Sequence, residues 1–226
     1  MKIKVLYEDK DILAIDKPPG ILVHGDNRSN EKTIYDLFVK KYPKLQVVHR
    51  LDKETSGVML LAKNEKAHEF LKKQFQDRTV KKVYNTIVDG VVKNDRGIIN
   101  KPIGRSPKDF RRWLAGRGAR GDLREAITEY KVLKRFEISK SSFTLLEVRP
   151  KTGRTHQIRV HMKYLNHPVV CDSLYNPKGS CPKGITRLAL HAKSIEFSVL
   201  GGSASDGKNL KIESPLPEEF SKIKKF

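Results

Sequence analysis

One segment of the chain combines a carboxylate with positive charge near a predicted turn. Residues 49–57 place Asp52 between Arg50 and Lys53, shortly before a Ser-Gly pair, and such a pair favours a turn. The apolar run at residues 58–62 follows and predicts a buried strand. Neighbouring cations favour the ionised form of a carboxylate. An ionised Asp52 suits a nucleophile or a general base better than a proton donor.

A second segment, residues 151–162, is dense in polar groups at a predicted junction between a loop and a helix. We expect this helix to open at Thr155, with apolar residues at intervals of three and four turned toward the core. His156 and Arg159 are i, i+3 neighbours on such a helix, and a helix N-terminus can hold an anion. Arg159 is therefore placed to form an ion pair with a carboxylate from elsewhere, such as Asp52.

The spacing of histidine and cysteine argues against a metal site. The gaps between His156, His161 and His167 do not bring ligands onto one helix face. Cys171 and Cys181 are the only cysteines, and they lack the short spacing of a zinc-binding pair. We therefore expect no metal, and we expect both thiols to be reduced and structural.

A third feature is the stretch of residues 95–124, where arginine, lysine and glycine surround the only tryptophan of the chain. No helical or strand period organises it, which predicts a loop. Arginine binds phosphate through paired hydrogen bonds, and arginine and tryptophan both stack on bases. A run of solvated charges is the competing explanation. We expect this region to contact RNA through Arg105, Arg111, Arg112, Trp113 and Arg117.

The whole chain has 226 residues and a formal net charge of +20, from 46 Lys and Arg against 26 Asp and Glu. Such an excess attracts polyanions, of which nucleic acid is the leading candidate. An anionic membrane surface is the alternative, but no apolar run approaches the ~20 residues of a spanning helix. The N-terminal residues turn acidic at once and lack the apolar segment of a signal peptide. We therefore expect a cytoplasmic protein without membrane association.

Strand and helix patterns are mixed without the regular spacing of βαβ units, which predicts an α+β fold. Thr33 is the predicted N-cap of a first helix that Pro43 ends, and Asn64 is the predicted N-cap of a second. Residues 201–211 are rich in Gly and Ser and predict a loop. Strands are predicted at residues 12–15, 58–62, 83–88, 127–136, 143–148 and 188–197, with a hairpin around residues 137–142.

Taken together, the motifs resemble those of the RluA-type pseudouridine synthases. Residues 49–57, with the apolar run behind them, are similar to the signature of that family, and residues 153–161 are similar to its third motif. Residues 82–84, followed by Gly90, resemble the second motif. The resemblance spans essentially the whole chain in order, because the family's opening, late and closing motifs are resembled by residues 11–20, 187–192 and 214–220.

Three positions depart from the family pattern. Thr86 stands where relatives often carry Ala, Asn166 where Gly is usual, and Cys171 where Gly commonly precedes the aspartate. Many relatives also carry a small N-terminal RNA-binding domain, whereas the catalytic opening of this chain lies near its start. We therefore expect residues 1–226 to form a single catalytic domain, with residues 95–124 as a basic RNA-contacting loop insertion.

The resemblance implies a pseudouridine synthase fold, with a mixed, mainly antiparallel central sheet flanked by helices and loops. It also implies the isomerisation of uridine to pseudouridine in large-subunit ribosomal RNA or transfer RNA. In that reaction the glycosidic bond breaks, the uracil turns, and its carbon 5 bonds to the sugar, so no cofactor is needed. Family likeness further predicts a monomer.

By the same resemblance Asp52 is the catalytic carboxylate, which attacks the sugar, attacks the base or abstracts a proton. Tyr84 is expected to stack on the target base, and Arg159 to pair with Asp52 and keep it ionised. Arg50 is expected to fill the space left when the base is extruded, since a stacked base hides its reacting atoms. Further substrate-binding residues are expected at His49, Thr55, Arg154, His156, Gln157, Ile158 and Leu190, of which the last two wall the base pocket.

Two other functions are compatible with parts of the pattern. A non-catalytic RNA-binding or ribosome-associated protein would account for the net charge, but it leaves the setting of Asp52 unexplained. A hydrolase using Asp52 with His49 or His156 lacks a second carboxylate or a nucleophilic serine in a known arrangement. Formation of pseudouridine distinguishes the isomerase from both.

Overall fold

The computed structural model describes residues 3–25, 31–179, 181–199 and 209–220. The chain divides into two compact units, Met1–Lys82 with Ala192–Pro215 and Val83–His191 with Leu216–Phe226. Both units combine antiparallel strands with few helices, which confirms the predicted α+β class. The single catalytic domain expected from the sequence stays a prediction. No helix among the described residues is long and apolar enough to cross a membrane.

The first unit is built on buried strands. Strands β2 and β4 pair in antiparallel register, with Leu13 opposite Leu61, and every residue of β4 is buried. The apolar run after Asp52 therefore forms the buried strand that the sequence predicts. The elements of this unit are β1 (Lys4–Glu8), β2 (Ile12–Lys17), α1 (Ile34–Val39), β3 (Gln46–Val47), β4 (Ser56–Ala62), α2 (Glu65–Gln76), most of β12 (Leu190–Ser198), and β13 (Asn209–Glu213).

Both helices of the first unit begin at the predicted caps. The Thr33 hydroxyl accepts a hydrogen bond from the Asp36 backbone N–H, and the Asp36 carboxylate accepts one from the Thr33 backbone N–H, which completes a capping box. The Asn64 side chain accepts from the Ala67 backbone N–H at 2.9 Å. Helix α2 turns Ala67 and Leu71 inward, as its apolar spacing predicts.

Gly57 permits a close approach between β4 and β12. Its φ is +110°, and a Cβ atom at this position would overlap the carbonyl oxygen of Ala192. Only glycine fits such a site. The Ser-Gly pair of the sequence motif lies inside β4, so it meets a packing constraint between strands and does not form the turn that the sequence predicts.

The second unit contains an antiparallel sheet in the order β5-β11-β10-β6. Strands β10 and β11 form the predicted hairpin, closed by Ser139 and Lys140, which both have positive φ. Leu145 and Val148 of β11 lie in the buried core. The elements of this unit are β5 (Lys81–Asp89, entering at Val83), β6 (Arg96–Asn100), β7 (Ile103–Arg105), β8 (Trp113–Ala115), β9 (Arg120–Arg124), β10 (Ile127–Ile138), β11 (Ser141–Pro150) and α3 (Gln157–Tyr164).

Helix α3 begins later than the sequence predicts. The expected start is Thr155, but the helix begins at Gln157, and His156 is its N-cap in the left-handed region at φ +55°. The Gln157 backbone N–H donates to the carbonyl of Arg154 at 3.0 Å, so the chain makes a tight turn before the helix. The predicted apolar face of α3 then packs into the core of the unit.

The basic region, residues 95–124, is not the loop that its sequence predicts. It contributes β6 to the sheet β5-β11-β10-β6, and it forms a separate sheet in the order β8-β7-β9. These strands have only three to five residues, and positive φ at Gly116 and Gly118 turns the chain between β8 and β9. Strands this short are interrupted before an alternating pattern can emerge.

The two cysteines are joined by a disulfide, although the sequence predicts reduced thiols. The chain between them turns back through a hydrogen bond from the Asn176 backbone N–H to the carbonyl of Asp172. The Cα atoms of Cys171 and Cys181 therefore lie 5.1 Å apart, within the range that a disulfide requires. Sequence spacing alone does not reveal this approach.

The C-terminal tail contains a strand where the sequence predicts a loop. Strand β13 pairs with β12, so that Ile212 lies opposite Ile195, and Ile212 is buried. With only Leu210 and Ile212 apolar in this segment, the alternation is too short to stand out. Residues 201–208 of the predicted loop lie outside the described residues.

Candidate active site

Asp52 lies on a short loop between β3 and β4 of the first unit. It follows the buried Leu51 and is itself partly exposed. The Thr55 backbone N–H donates to the Asp52 carbonyl at 3.1 Å, and the Gly20 backbone N–H donates to the Lys53 carbonyl at 2.9 Å. The loop is thus held by its own turn and by the segment after β2.

A buried lysine secures this loop. Lys17, the last residue of β2, is fully buried. Its ammonium group donates to the backbone carbonyls of Pro18 at 3.0 Å, Lys53 at 2.8 Å and Thr55 at 2.8 Å. These bonds match the three hydrogens of an ammonium group, so the charge is stabilised by carbonyl dipoles on both sides of Glu54. The backbone that follows Asp52 is therefore held in place by the Lys17 ammonium group.

Lys17 lies within residues 11–20, which resemble the family's opening motif. It is not among the predicted site residues, because the Lys-Pro-Pro-Gly segment predicts only a turn after a strand. A signal was present. The lysine ends a strand in which Ile12 to Ile15 are almost completely buried, and alternation from Ile15 directs its side chain to the same side. A lysine in that position must find acceptors inside the protein.

The cations beside Asp52 differ in their surroundings. Arg50 is exposed. The Lys53 ammonium pairs with the Glu31 carboxylate at 2.7 Å, so part of the positive charge that the sequence places next to Asp52 is directed at another carboxylate. Thr55 is buried, and its hydroxyl has no hydrogen-bond partner among the described residues.

His49 joins structural elements of the first unit. Its Nε2 accepts a hydrogen bond from the Leu60 backbone N–H at 3.0 Å, and its ring stacks on Phe75 with 4.8 Å between centroids. Burial, assisted by the positive charge of Lys82, lowers the pKa of His49 from 6.5 to about 3. The imidazole is therefore neutral at physiological pH with its Nε2 lone pair engaged, which does not suit a general base. Its substrate-binding role stays a prediction.

In the second unit Arg159 is held by an aspartate that the sequence motifs do not select. The Arg159 Nε and Nη2 atoms donate to the two carboxylate oxygens of Asp172 at 2.7 and 2.8 Å, and both side chains are buried. Such a two-point bond fixes the plane of the guanidinium group. The sequence predicts Asp52 as the partner of Arg159, and that pairing stays a prediction.

Tyr175 completes the surroundings of Arg159. The guanidinium carbon lies 5.0 Å from the centroid of the Tyr175 ring, within the range of a cation–π interaction. Asp172 also accepts hydrogen bonds from the backbone N–H groups of Leu174 and Tyr175, each at 3.0 Å. An Asp-x-x-Tyr pattern after Cys171 is the sequence signal for this arrangement.

Gln157 forms a buried network that anchors the start of α3. Its Oε1 accepts from the Thr152 hydroxyl at 2.7 Å and from the Arg154 backbone N–H at 3.0 Å. Its Nε2 donates to the Ile127 carbonyl and to the Thr128 hydroxyl. These bonds use both donors and both acceptor positions of the amide. Gln157, predicted to bind substrate, therefore has a structural role in this unit, and a contact with substrate stays a prediction.

The network continues to His161. His161 Nε2 donates to the Lys101 carbonyl at 3.0 Å, and His161 Nδ1 lies 2.8 Å from the Thr128 hydroxyl. Burial lowers the pKa of His161 and favours the neutral ring, in which Nδ1 accepts from Thr128. Helix α3 is thereby joined to β10 and to the basic region. The Arg154 Nε donates to the Glu125 carbonyl at 2.9 Å.

The residues predicted to form the base pocket within the second unit lie together. Ile158 and Leu190 belong to the same buried cluster, and Tyr84 packs against that cluster while remaining partly exposed. An aromatic ring with one side on a rigid apolar surface can present its remaining surface to a nucleobase. The stacking role of Tyr84 stays a prediction.

The basic region differs internally in how its charges are compensated. Hydrogen bonds from Arg111 hold the pKa of Asp109 at about 2, and Arg112 pairs with the same carboxylate. The Arg105 guanidinium lies 4.2 Å from the ring centroid of Trp113. Within the described ranges, no ion pair is formed by the exposed side chains of Arg117, Arg120 and Arg124.

One group of potential metal ligands lies on α2. Ligand atoms of Glu65, His68 and Glu69 lie within 4.8 Å of one another, on a mostly exposed face. Glu65 accepts a hydrogen bond from Gln46, and Glu69 pairs with Lys72 at 3.1 Å. The carboxylates thus have partners within the protein, and the sequence patterns do not predict the group.

Comparison with known proteins relates this geometry to a family. Residues 11–164 match the family model described as RNA pseudouridylate synthase. The matched range contains Lys17, Asp52, Tyr84 and Arg159. The chain belongs to this family.

Relatives and solved structures agree with this membership. An uncharacterized RNA pseudouridine synthase of Aquifex aeolicus is 40% identical over 98% of the chain and 72% of the relative. The ribosomal large subunit pseudouridine synthase D of Xanthomonas campestris is 37% identical over 98% of the chain and 68% of the relative. The structure of human RNA pseudouridylate synthase domain containing 1 matches with a TM-score of 0.78 at 25% identity, covering 96% of this chain and 84% of the human one.

Family membership establishes the reaction class. This pseudouridine synthase is an isomerase that converts uridine to pseudouridine within RNA. The predicted fold is confirmed by the structural match, and the isomerase is favoured over the non-catalytic RNA-binding protein and over the hydrolase.

The lysine contacts predict the effect of replacing Lys17. Lys17→Met leaves the carbonyls of Lys53 and Thr55 without their buried donor, and should lower the free energy of unfolding by about 2–4 kcal/mol. Urea denaturation measures this change. Lys10→Met, which replaces an exposed lysine, serves as the control. Equal stability of the two variants would contradict a stabilising role for the hydrogen bonds of Lys17.

The environment of His49 predicts a pH dependence of stability. The unfolded chain binds the imidazole proton near pH 6.5 and the folded chain only near pH 3, so His49 makes stability fall as the pH drops below about 6.5. The contribution reaches about 1.4 kcal/mol per pH unit between these values. His49→Gln should therefore show a shallower slope of unfolding free energy between pH 6 and 4. An unchanged slope would mean that His49 titrates normally in the folded state.

Proposed function

We propose that this pseudouridine synthase modifies large-subunit ribosomal RNA and uses Asp52 as its catalytic carboxylate on a flipped uridine. The supporting observation is that the partly exposed Asp52 lies on a loop whose backbone is bonded to the buried Lys17 ammonium. The choice of RNA is supported by relatives of Xanthomonas campestris and Pseudomonas aeruginosa that are named ribosomal large subunit pseudouridine synthase D.

The fixed loop suits the chemistry. Reaction at the glycosidic carbon or at the base requires a carboxylate held in a defined position, because a displacement of about 1 Å is costly in rate. The target base must also leave its stack before its atoms can be reached. In this proposal exposed Arg50, two residues before Asp52, occupies the space that the base leaves.

The second unit supplies the other groups. Tyr84 stacks on the uracil, with Ile158 and Leu190 as the apolar walls of its pocket, in keeping with their common cluster. Arg159 pairs with Asp52 and keeps it ionised. The two hydrogen bonds that Arg159 donates to Asp172 support this role, since they hold the guanidinium group in one orientation.

The basic region binds the RNA backbone and bases. The exposed Arg117, Arg120 and Arg124 are suited to phosphate, and the stacked pair of Arg105 and Trp113 is suited to an unpaired base. Arg111 and Arg112 contribute less net charge, because Asp109 lies between them.

We further propose that the enzyme works as a cytoplasmic monomer without a cofactor. The isomerisation exchanges one bond to the sugar for another within a single nucleotide, so no electrons are gained or lost. The net charge of +20 is consistent with RNA as its main partner.

Replacement of Asp52 tests its role. Asp52→Asn keeps the size and polarity of the side chain but removes its charge, and should reduce the rate of pseudouridine formation by at least about 100-fold. The assay is pseudouridine mapping on protein-free large-subunit ribosomal RNA. Asp77→Asn, at an exposed aspartate of the same unit, is the matched control. A wild-type rate for Asp52→Asn would exclude it as the catalytic carboxylate.

The same assay distinguishes the substrates. Transfer RNA and large-subunit ribosomal RNA are supplied separately to the wild-type enzyme, and modification is expected in the ribosomal RNA. Modification of transfer RNA alone would contradict the choice of substrate without affecting the role of Asp52.

The charge distribution of the basic region predicts a salt dependence. A variant with Arg117, Arg120 and Arg124 replaced by Gln should bind RNA more weakly, and its logarithmic salt slope should fall by about 0.7–0.9 for each phosphate that is no longer bound. A variant with exposed Lys40, Lys66 and Lys73 replaced by Gln has the same net charge and should keep the wild-type slope. Equal slopes in the two variants would remove the basic region from the RNA interface.

A further inference from the structure

Within the second unit, the hydroxyl and the ring of Tyr175 contact different groups. Its hydroxyl accepts a hydrogen bond from the Trp113 backbone N–H at 3.0 Å and lies 2.9 Å from His156 Nδ1. Its ring lies under the Arg159 guanidinium at 5.0 Å, and its backbone N–H donates to Asp172 at 3.0 Å. One buried side chain therefore touches both the basic region and the arginine of the candidate active site.

The Tyr175 hydroxyl joins the basic region to the turn before α3. The Tyr175 oxygen accepts from the Trp113 backbone N–H and also forms a hydrogen bond with His156 Nδ1 at 2.9 Å. His156 has a φ of +55°, a conformation that is unfavourable for residues other than glycine. The Tyr175 bond is an interaction that offsets this strain, and it fixes the turn from which α3 and Arg159 follow.

The hydrogen bond with Trp113 connects Tyr175 to the sheet β8-β7-β9, which is proposed to bind RNA. Trp113 begins β8, and its partner in the sheet is Arg105 of β7, whose guanidinium lies 4.2 Å from the Trp113 ring. Movement of β8 on binding a base or a phosphate would therefore act directly on the Tyr175 hydroxyl, whereas the ring of Tyr175 and the carboxylate of Asp172 hold Arg159.

We propose that Tyr175 is a positioning residue that couples RNA contact at the β7–β9 sheet to the placement of Arg159. The inference rests on the proposed function, in which the basic region binds RNA and Arg159 supports Asp52. It adds a residue, and a connection between binding and catalysis, that neither the sequence motifs nor the family match assigns.

Two substitutions test the hydroxyl and the ring of Tyr175 separately. Tyr175→Phe keeps the ring under Arg159 but removes the hydroxyl bonds to Trp113 and His156. It should raise KM for RNA about 3- to 10-fold, the factor expected for one or two hydrogen bonds, with kcat changed less than about 2-fold. Tyr175→Leu also removes the ring and should lower kcat about 10-fold. Circular dichroism establishes that each variant is folded.

A matched control and a double-mutant cycle sharpen the test. Tyr42→Phe removes another largely buried hydroxyl, which donates to Glu8 in the first unit, and should leave KM unchanged. Arg105→Gln removes the stack on Trp113. If Tyr175 acts through β8, the effect of Arg105→Gln on KM should be smaller in the Tyr175→Phe background than in the wild type.

The outcomes are distinct. A wild-type KM for Tyr175→Phe, or independent effects in the cycle, would overturn the coupling. A fall in kcat for Tyr175→Phe at constant KM would assign the hydroxyl a purely structural role and would also overturn it. An active Asp52→Asn enzyme is a separate result, because it refutes the proposed function whatever the behaviour of Tyr175.

Discussion

The arrangement around Asp52 depends on one physical constraint, the burial of the Lys17 charge. A buried ammonium group is tolerated only when its hydrogens are bonded, and here the acceptors are backbone carbonyls of Pro18, Lys53 and Thr55. A rearrangement of the Asp52 loop that moved the carbonyls of Lys53 and Thr55 would break two of these three bonds, so the loop has few alternatives. Close packing at Gly57, immediately beyond the loop, restricts the same backbone further.

In the second unit the buried charge is that of a carboxylate, Asp172, and it is also satisfied by hydrogen bonds. Asp172 is buried and accepts hydrogen bonds from Arg159 and from the backbone of its own loop. The neighbouring Gln157 network is also complete, which fixes the start of α3. Buried polar networks of this kind specify one geometry when every member is bonded. In the first unit the buried Lys17 holds the loop backbone around Asp52. In the second unit the buried Asp172 holds the guanidinium group of Arg159.

Much of the fold could be predicted from the sequence, because long apolar runs and caps are local signals. The buried strand after Asp52, the caps at Thr33 and Asn64 and the hairpin of β10 and β11 are examples. The strands β7–β9 and β13 are too short for an alternating pattern, and the disulfide depends on how the chain turns between the two cysteines, so local patterns do not reveal them. For the site, motifs selected Asp52, Tyr84 and Arg159, but not the residues that hold them. Lys17, Asp172 and Tyr175 have only weak sequence signals, and their roles become clear once burial and hydrogen bonds are known.

The buried charge of Lys17 thus fixes the backbone around Asp52, and the basic sheet of the second unit is suited to an RNA substrate. The most direct test of the proposed role of Asp52 is a crystal structure of the enzyme bound to RNA that contains the target uridine. We expect a uridine turned out of its stack, its uracil on Tyr84, and its sugar or base within about 3.5 Å of the Asp52 carboxylate. A uridine that remains stacked, or that lies far from Asp52 in a fully occupied complex, would contradict this role.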